Sequence, residues 1–413
     1  MTKRIALIGC AAALALVAGC DTGPKTDAEG FTIDPDFEKN LQAKLLDAKP
    51  GAVIEIPAGK YALSRSLSLT ADGVTVRGAG MDKTILSFAK QTSGAEGMLV
   101  TGNDFTIEDL AFEDSKGDAL KVNGVKNTVI RRVRAEWTGG PKTSNGAYGL
   151  YPVQVDNVLV EGAVVKGASD AGIYVGQSNN IIVRDSRAEG NVAGIEIENS
   201  NNADVYGNTA TGNAGGILVF NMPNLPVPGA KTRVFRNTVV ANNHANFGAK
   251  GSAVSSVPAG SGVIVNSNDE VEIFDNDIKD NKTANVIISS YYSTGFDTKD
   301  GIAAAYDPFP EKIYVTGNRF SGGGDDPGSA AFKPLAALNG GRLPDVLWDG
   351  FTNPKVKDPQ ICVQNGEAKV LNADGPSKFA KARIDAGRNC APPARLPAIT
   401  LPEAMTRDSG KKS

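Results

Sequence analysis

The feature that most constrains this chain is a short repeat that returns at near-constant spacing through its middle. Segments opening at Phe105, Thr128, Val158, Ile181, Ala203, Arg233 and Val271 share one phase. The uninterrupted ones run 22 or 23 residues (105 to 128, 158 to 181, 181 to 203), and the longer ones carry insertions at two places. Within each, apolar side chains alternate, as in Ile173 and Val175, Ile195 and Ile197, Ile217 and Val219, and Val263 and Val265. Period-two alternation puts one strand face inward and the other outward. A unit this small cannot bury its inward face alone, so the units must stack. Gly, Asn, Asp and Ser between the strands tolerate the left-handed conformations that sharp corners need. Asn191, Asn213, Asn243 and Asn281 recur at one corner and are expected to stack as an internal amide ladder. A propeller blade needs roughly twice this period, and the leucine-rich consensus is absent. Parallel crossovers are nearly always right-handed. The expected fold is therefore all-β: a right-handed parallel β-helix over residues 31–320.

The ends read differently. DPDFEKNLQAKLLDAKPG predicts an amphipathic helix from about Pro35 to Ala48, with Asp34 as N-cap and Lys49-Pro50-Gly51 as its stop. It is expected to cap the first coil. After Tyr314 the repeat fades into GGGDDPG, and residues 321–413 are expected to form an irregular C-terminal cap and tail. At the start, basic Lys3 and Arg4 precede an apolar stretch, Ile5 to Val17, that is too short to span a bilayer. Val17-Ala18-Gly19-Cys20 follows, so residues 1–19 read as a secretory signal and the polar residues 20–30 as a flexible tether. In an exported chain the remaining cysteines, Cys362 and Cys390, are expected to pair as a disulfide. Net charge is −3 with no basic stripe, which gives nucleic-acid binding no electrostatic support.

Register also fixes what points outward. With Ile173 and Val175 inside, Tyr174 faces out, and Lys121, Tyr151 and Glu196 take the same position on neighbouring coils, with Glu198 two residues on. Insertions flank this face alone: from Trp137 and His244 before the strand, and from Asn221 and Tyr291 after it. Loops on two edges of one face wall a groove, and such loops usually carry binding. Its expected residues are the aromatic plates Tyr151 and Tyr174, the cation Lys121, the carboxylates Glu196 and Glu198, and Tyr148, Asn221 and His244 at the edges. Sugar rings stack on aromatics, and their hydroxyls suit carboxylates and amides. Glu196 and Glu198 lie i,i+2, about 6.6 Å apart at the backbone, near the roughly 6.5–9.5 Å separation of inverting glycosidases. Exposed glutamates on a strand are equally compatible with a solvated face. Two readings stand: an envelope protein that binds an extended carbohydrate without turnover, or a polysaccharide-active enzyme with Glu196 and Glu198 as its acids. A hydrolase ranks above a lyase, because these glutamates repel a uronate. No metal site is placed; calcium at the Asp/Asn-rich corners is compatible with the composition.

YGLYPVQVDNVLVEG, SDAGIYVGQSNNIIVRDS and AGIEIENS resemble a family of bacterial right-handed β-helix repeat proteins. More distantly these are similar to mannuronan C5-epimerases, pectate-lyase-like enzymes and a periplasmic accessory protein of nitrous-oxide reductase maturation. The epimerase catalytic strand resembles Tyr-Gly-Phe-Asp-Pro-His, and this chain has Tyr148-Gly149-Leu150-Tyr151-Pro152-Val153. Tyr151 and Val153 replace the catalytic Asp and His, so the resemblance leaves Tyr148 alone of the proton-transfer groups and does not carry the activity over. Copper handling, implied by the accessory protein, asks for His, Met or Cys clusters; the chain has one histidine. The Val17–Cys20 ending resembles the lipobox of bacterial lipoproteins, which implies lipidation at Cys20 and anchoring on the periplasmic face or outer membrane of the envelope. Cys20→Ala is expected to leave the protein unprocessed or soluble, and mature protein without lipid by mass spectrometry would reject the anchor.

Overall fold

The computed structural model describes residues 25–294 and 306–407. The expected signal segment, Cys20 and residues 295–305 of the last expected wall insertion lie outside them. The repeat closes into a right-handed parallel β-helix. Each regular turn gives one strand to a 12-stranded sheet and two to a 19-stranded one, as in Ala171–Gly176, Asn179–Arg184 and Arg187–Glu189. Pairing between these strands is parallel throughout, except where Val370–Asn372 meets Arg383–Asp385. Inside, like stacks on like: Leu150, Ile173, Ile195, Ile217, Val263 and Val286 follow one another in register and are fully buried.

At the corners, buried asparagines form two amide ladders. Asn191 Nδ2 donates to Asn213 Oδ1, Asn213 to Asn242 and Asn242 to Asn281. A second ladder runs Asn208, Asn237, Asn276, Asn318, Asn365. The third rung of the first ladder is thus Asn242, not Asn243, whose amide bonds the Asp280 carbonyl near the surface. The coil read as opening at Arg233 opens at Thr232, which pairs with Ala203. A fully buried threonine at an inward position had hidden the start of the alternation.

On the outer face of the larger sheet one register row alternates in charge: Arg77, Glu108, Arg131, Glu161, Arg184. Arg77 Nε lies 2.7 Å from Glu108, and Arg131 bonds Glu161. Stacking at about 4.8 Å would otherwise set like charges side by side.

Coils continue past residue 320. Ile313–Thr316 pairs with Ile361–Gln364, and Val346–Trp348 with Val370–Asn372, with long irregular connections that erase the period in sequence. Cys362 and Cys390 are bridged, Cα–Cα 5.4 Å. From there the tail runs back along the larger sheet: Leu396 N donates to Glu272, Ile399 N to Asp204, and Arg131 to the Met405 carbonyl. Leu401 and Met405 cover Val129, Leu159 and Ile182. At the other end the capping helix spans Phe37–Leu46 with Asp36 as N-cap, and buries Leu41 and Leu45. Lys25–Gly30, expected to be flexible, docks instead: Thr26 bridges Thr32, and Glu29 pairs with Lys90. Asn242→Ala should cost about 1–3 kcal/mol by leaving buried amides unpaired, while Asn243→Ala should stay within about 0.5 kcal/mol. Urea unfolding of both variants checks the ladder.

Candidate functional site

The outer row of the 12-stranded sheet carries Lys121, Tyr151, Tyr174, Glu196 and Leu218 on successive coils. Tyr174 lies flat along its strand because residue 176 is glycine. A Cβ there would sit 2.3 Å from the Tyr174 ring. The ring thereby reaches Glu198, the partner of Gly176 one coil on, and its hydroxyl donates to Glu198 Oε1 at 2.6 Å. Gln177 Nε2 donates to that hydroxyl at 3.1 Å. Tyr148 packs at 4.5 Å from both Tyr151 and Tyr174, which meet each other edge-on at 5.0 Å. Lys121 Nζ stands 5.0 Å over the Tyr151 ring and 3.9 Å from Glu96.

Outward does not mean exposed here. Tyr174 and Glu196, expected on a solvent-facing floor, are 4% and 3% exposed. A second apolar cluster lies outside the coil, where Ala171, Val192, Ala193, Ala214 and Leu218 join Val254 and Val257 of the wall inserted after His244. Alternation in sequence separates the two faces of a strand but carries no information about what covers the outer one.

Four carboxyls meet at the tyrosines. Asp118 Oδ1 accepts the Tyr148 amide at 3.2 Å, and the Tyr148 side chain favours the charged form of Asp170. Burial pushes Asp118 up to about 6. Burial, then Glu198 and Asp118, push Asp170 up to about 7. Glu196 is held well above the ordinary carboxyl range by burial, then by Glu198 and Asp170, and its Oε2 has no hydrogen-bond partner. Burial raises Glu198 as well, against the Tyr174 hydroxyl, which favours its charged form. Asp118 and Asp170 can thus give or take a proton near neutral pH. The tyrosines are pushed the same way by burial, Tyr151 to about 12 and Tyr148 and Tyr174 further, so Tyr148 works as a neutral hydroxyl and not as a base. Among the described residues, no three His, Cys, Asp or Glu side chains converge to hold a metal ion.

Next to this cluster the face opens into a groove of about 870 Å³. Phe220, Ile264, Asn266, Ile287, Ser289 and Leu347 floor it. Residues 245–259 border it from before the strands, and Tyr292, Asp349 and Phe351 from after them. None of the expected groove residues lines it: Lys121, Tyr148, Tyr151, Tyr174, Glu196 and Glu198 form the cluster beside it, and Asn221 and His244 lie elsewhere. Asn221 is a buried corner amide, its Oδ1 taken by Asn199 Nδ2 and the Gly229 amide and its Nδ2 given to the Ser267 carbonyl. His244 is exposed, with Nδ1 2.8 Å from the Ala245 carbonyl and its ring edge-on to Phe247. Asp118 and Asp170 were missed by sequence reasoning. Their only signal is that each enters its strand three or four residues before an outward Lys121 or Tyr174.

A parallel β-helix with a tyrosine–carboxyl cluster at the head of a walled groove is the class of protein defined here. The chain belongs to the right-handed β-helix family: the family described as "Right handed beta helix region" matches residues 66–221 and 141–320. No curated protein matches it in sequence. Among solved structures, the A-module of the Azotobacter vinelandii mannuronan C-5 epimerase AlgE4 superposes with a TM-score of 0.54 at 18% identity, over 78% of this chain and 88% of that one. DFA-IIIase of Arthrobacter chlorophenolicus A6 without its lid gives 0.46 at 12%, over 78% and 91%. An alginate lyase of Paenibacillus sp. gives 0.43 at 14%, over 70% and 96%. At these identities the likeness is one of fold.

Because the folded state holds Asp118, Asp170, Glu196 and Glu198 above the range of free carboxyls, it binds more protons than the unfolded chain from about pH 4 upward. Stability should therefore fall as pH rises from about 4 through about 7. An Asp170→Asn/Glu196→Gln variant should flatten that part of the profile in melts across this range. An unchanged slope would remove the cluster as its cause.

Proposed function

We propose that the protein binds an extended glycan along the outer face of the 12-stranded sheet, as a lipid-anchored component of the bacterial envelope. The observation that carries this reading is the placing of aromatic side chains on one face: half-buried Tyr148 and Tyr151 stand beside the carboxyl cluster, and Phe220, Phe332 and Phe351 line the groove that opens next to it. Aromatic faces spaced along a walled path suit sugar rings, and Asn266 and Ser289 on the floor suit hydroxyls. The epimerase module supports the reading as a β-helix whose name gives mannuronan, a polysaccharide, as its substrate.

A second reading, turnover by a glycoside hydrolase, is favoured by one observation. Burial holds Asp170, Glu196 and Glu198 above the ordinary carboxyl range, as a general acid at neutral pH requires. A glycan array on the mature protein, followed by product analysis on each hit, tests both. Tyr151→Ala, at a half-buried site, should weaken an array-identified ligand about tenfold, or ~1.4 kcal/mol, with little change in melting. A variant that binds every hit as wild type sinks the groove. Glu198→Gln should lower product formation at least about 100-fold if the protein is a hydrolase, and shift affinity only modestly if it is a binder.

A further inference from the structure

The carboxyl cluster breaks the pattern that the charged row of the larger sheet keeps. On the larger sheet, stacked charges alternate from Arg77 through Glu108, Arg131 and Glu161 to Arg184. At the head of the groove, Asp118, Asp170, Glu196 and Glu198 gather within four successive coils, and none lies within 4 Å of a Lys or Arg among the described residues. Lys121, the nearest cation, leans instead toward Glu96 and the Tyr151 face. Glu196 is 3% exposed, its Oε2 has no hydrogen-bond partner, and the charges that act on it are those of Glu198 and Asp170. A buried carboxylate oxygen with no donor costs the full desolvation of that group. A positive hydrogen-bond donor among these carboxyls offsets that cost.

A bare metal ion is a poor fit, since no three of these groups converge on one point. An organic ammonium is a better one. It spreads three N–H donors over separated acceptors and is attracted to tyrosine faces. Lys121 over Tyr151 is an ammonium of this chain already in that relation, at the edge of the cluster. Tyr148, Tyr151, Asp118, Asp170 and Glu198 are only half-buried, so the cluster meets solvent where the path of the groove begins.

We propose that the Asp170–Glu196–Glu198 cluster and its tyrosines recognise the free amino group of an amino sugar, so that the glycan taken by this face is a cationic, non-acetylated one. This rests on the glycan reading above and names the chemistry of its ligand. The charged groups that face the cluster are Glu96, Asp118 and Lys121 from the preceding coils, with Asp170, Glu196 and Glu198 themselves. The raised proton affinity of Asp118 and Asp170, to about 6 and about 7, adds a signature. An ammonium stabilises the ionised carboxyls, so its binding near those values releases protons to the buffer.

The test is calorimetry at pH 6.5 with glucosamine oligomers, N-acetylglucosamine oligomers and mannuronate oligomers of equal length, with spermidine as a cation that is not a sugar. Glucosamine oligomers should bind at least about tenfold more tightly than the other three, with proton release that depends on buffer. Asp170→Asn/Glu198→Gln should remove that preference and the proton release, with melting at pH 5 as the control that the variant is folded. Equal binding of the acetylated and free oligomers overturns the ammonium site while leaving a glycan groove in place. Tighter binding of mannuronate, or of spermidine, also overturns it. No binding of any sugar, with array hits absent too, overturns the groove as well.

Discussion

Parallel stacking in register governs everything else in this structure. Each side chain sits about 4.8 Å from its equivalents on the coils before and after, so a position is a column shared by many residues. Inside, columns of Ile, Val and Leu bury one another. At the corners, asparagine columns satisfy their own amides, each Nδ2 donating to the next Oδ1 and to a carbonyl on the coil behind, as Asn213 does with Asn242 and Ala188. Where a column is charged, stacking demands alternation, and the row from Arg77 to Arg184 meets that demand. A column of like charge can persist only by shifting proton affinity or by taking up a counter-charge from outside. The same constraint holds where carboxyls of different columns meet, as Asp118, Asp170, Glu196 and Glu198 do.

The outer face of the 12-stranded sheet is built as an interior that opens at one side. Tyr174, Glu196, Leu218, Ile264 and Ile287 point away from the coil, yet all are buried, because walls from residues 245–259 and from the last coils fold over the row. That cover desolvates the carboxyls and raises their proton affinity, that of Asp118 and Asp170 to about 6 and about 7. It also makes substitutions in this row costlier than outward positions on a bare strand. Tyr174 shows the coupling: its ring needs Gly176 beneath it and Glu198 beyond it, so one residue links packing to the electrostatics of the site.

The tail solves a different problem. A solenoid exposes its flat outer sheets and its last coil. Here the Cys362–Cys390 bridge turns the chain at the end of the stack, and residues 391–407 lie back across earlier coils, covering Val129, Leu159 and Ile182. Their polar contacts, Leu396 N to Glu272 and Ile399 N to Asp204, use carboxylates of the charged rows as acceptors. The tail therefore ties the last coils to the middle of the stack.

By itself the sequence determined the coil, its inward columns and the side of the stack on which the groove lies. Those follow from period two within a strand and a repeat of 22 or 23 residues, which only one stacked arrangement satisfies. It came within one residue of the amide ladder, missing because Asn242 and Asn243 are adjacent and identical in type. The last coils escaped it because their connections are too irregular to keep a period. What only the tertiary structure decided is which outward residues are covered and which groups meet across coils. Asp118 and Asp170 are 52 residues apart in the chain, with an insertion between their coils, and they join Glu196 because the stack brings their corners over one row. Burial, and with it the proton affinity of that cluster, depends on walls whose residues carry no periodic signal.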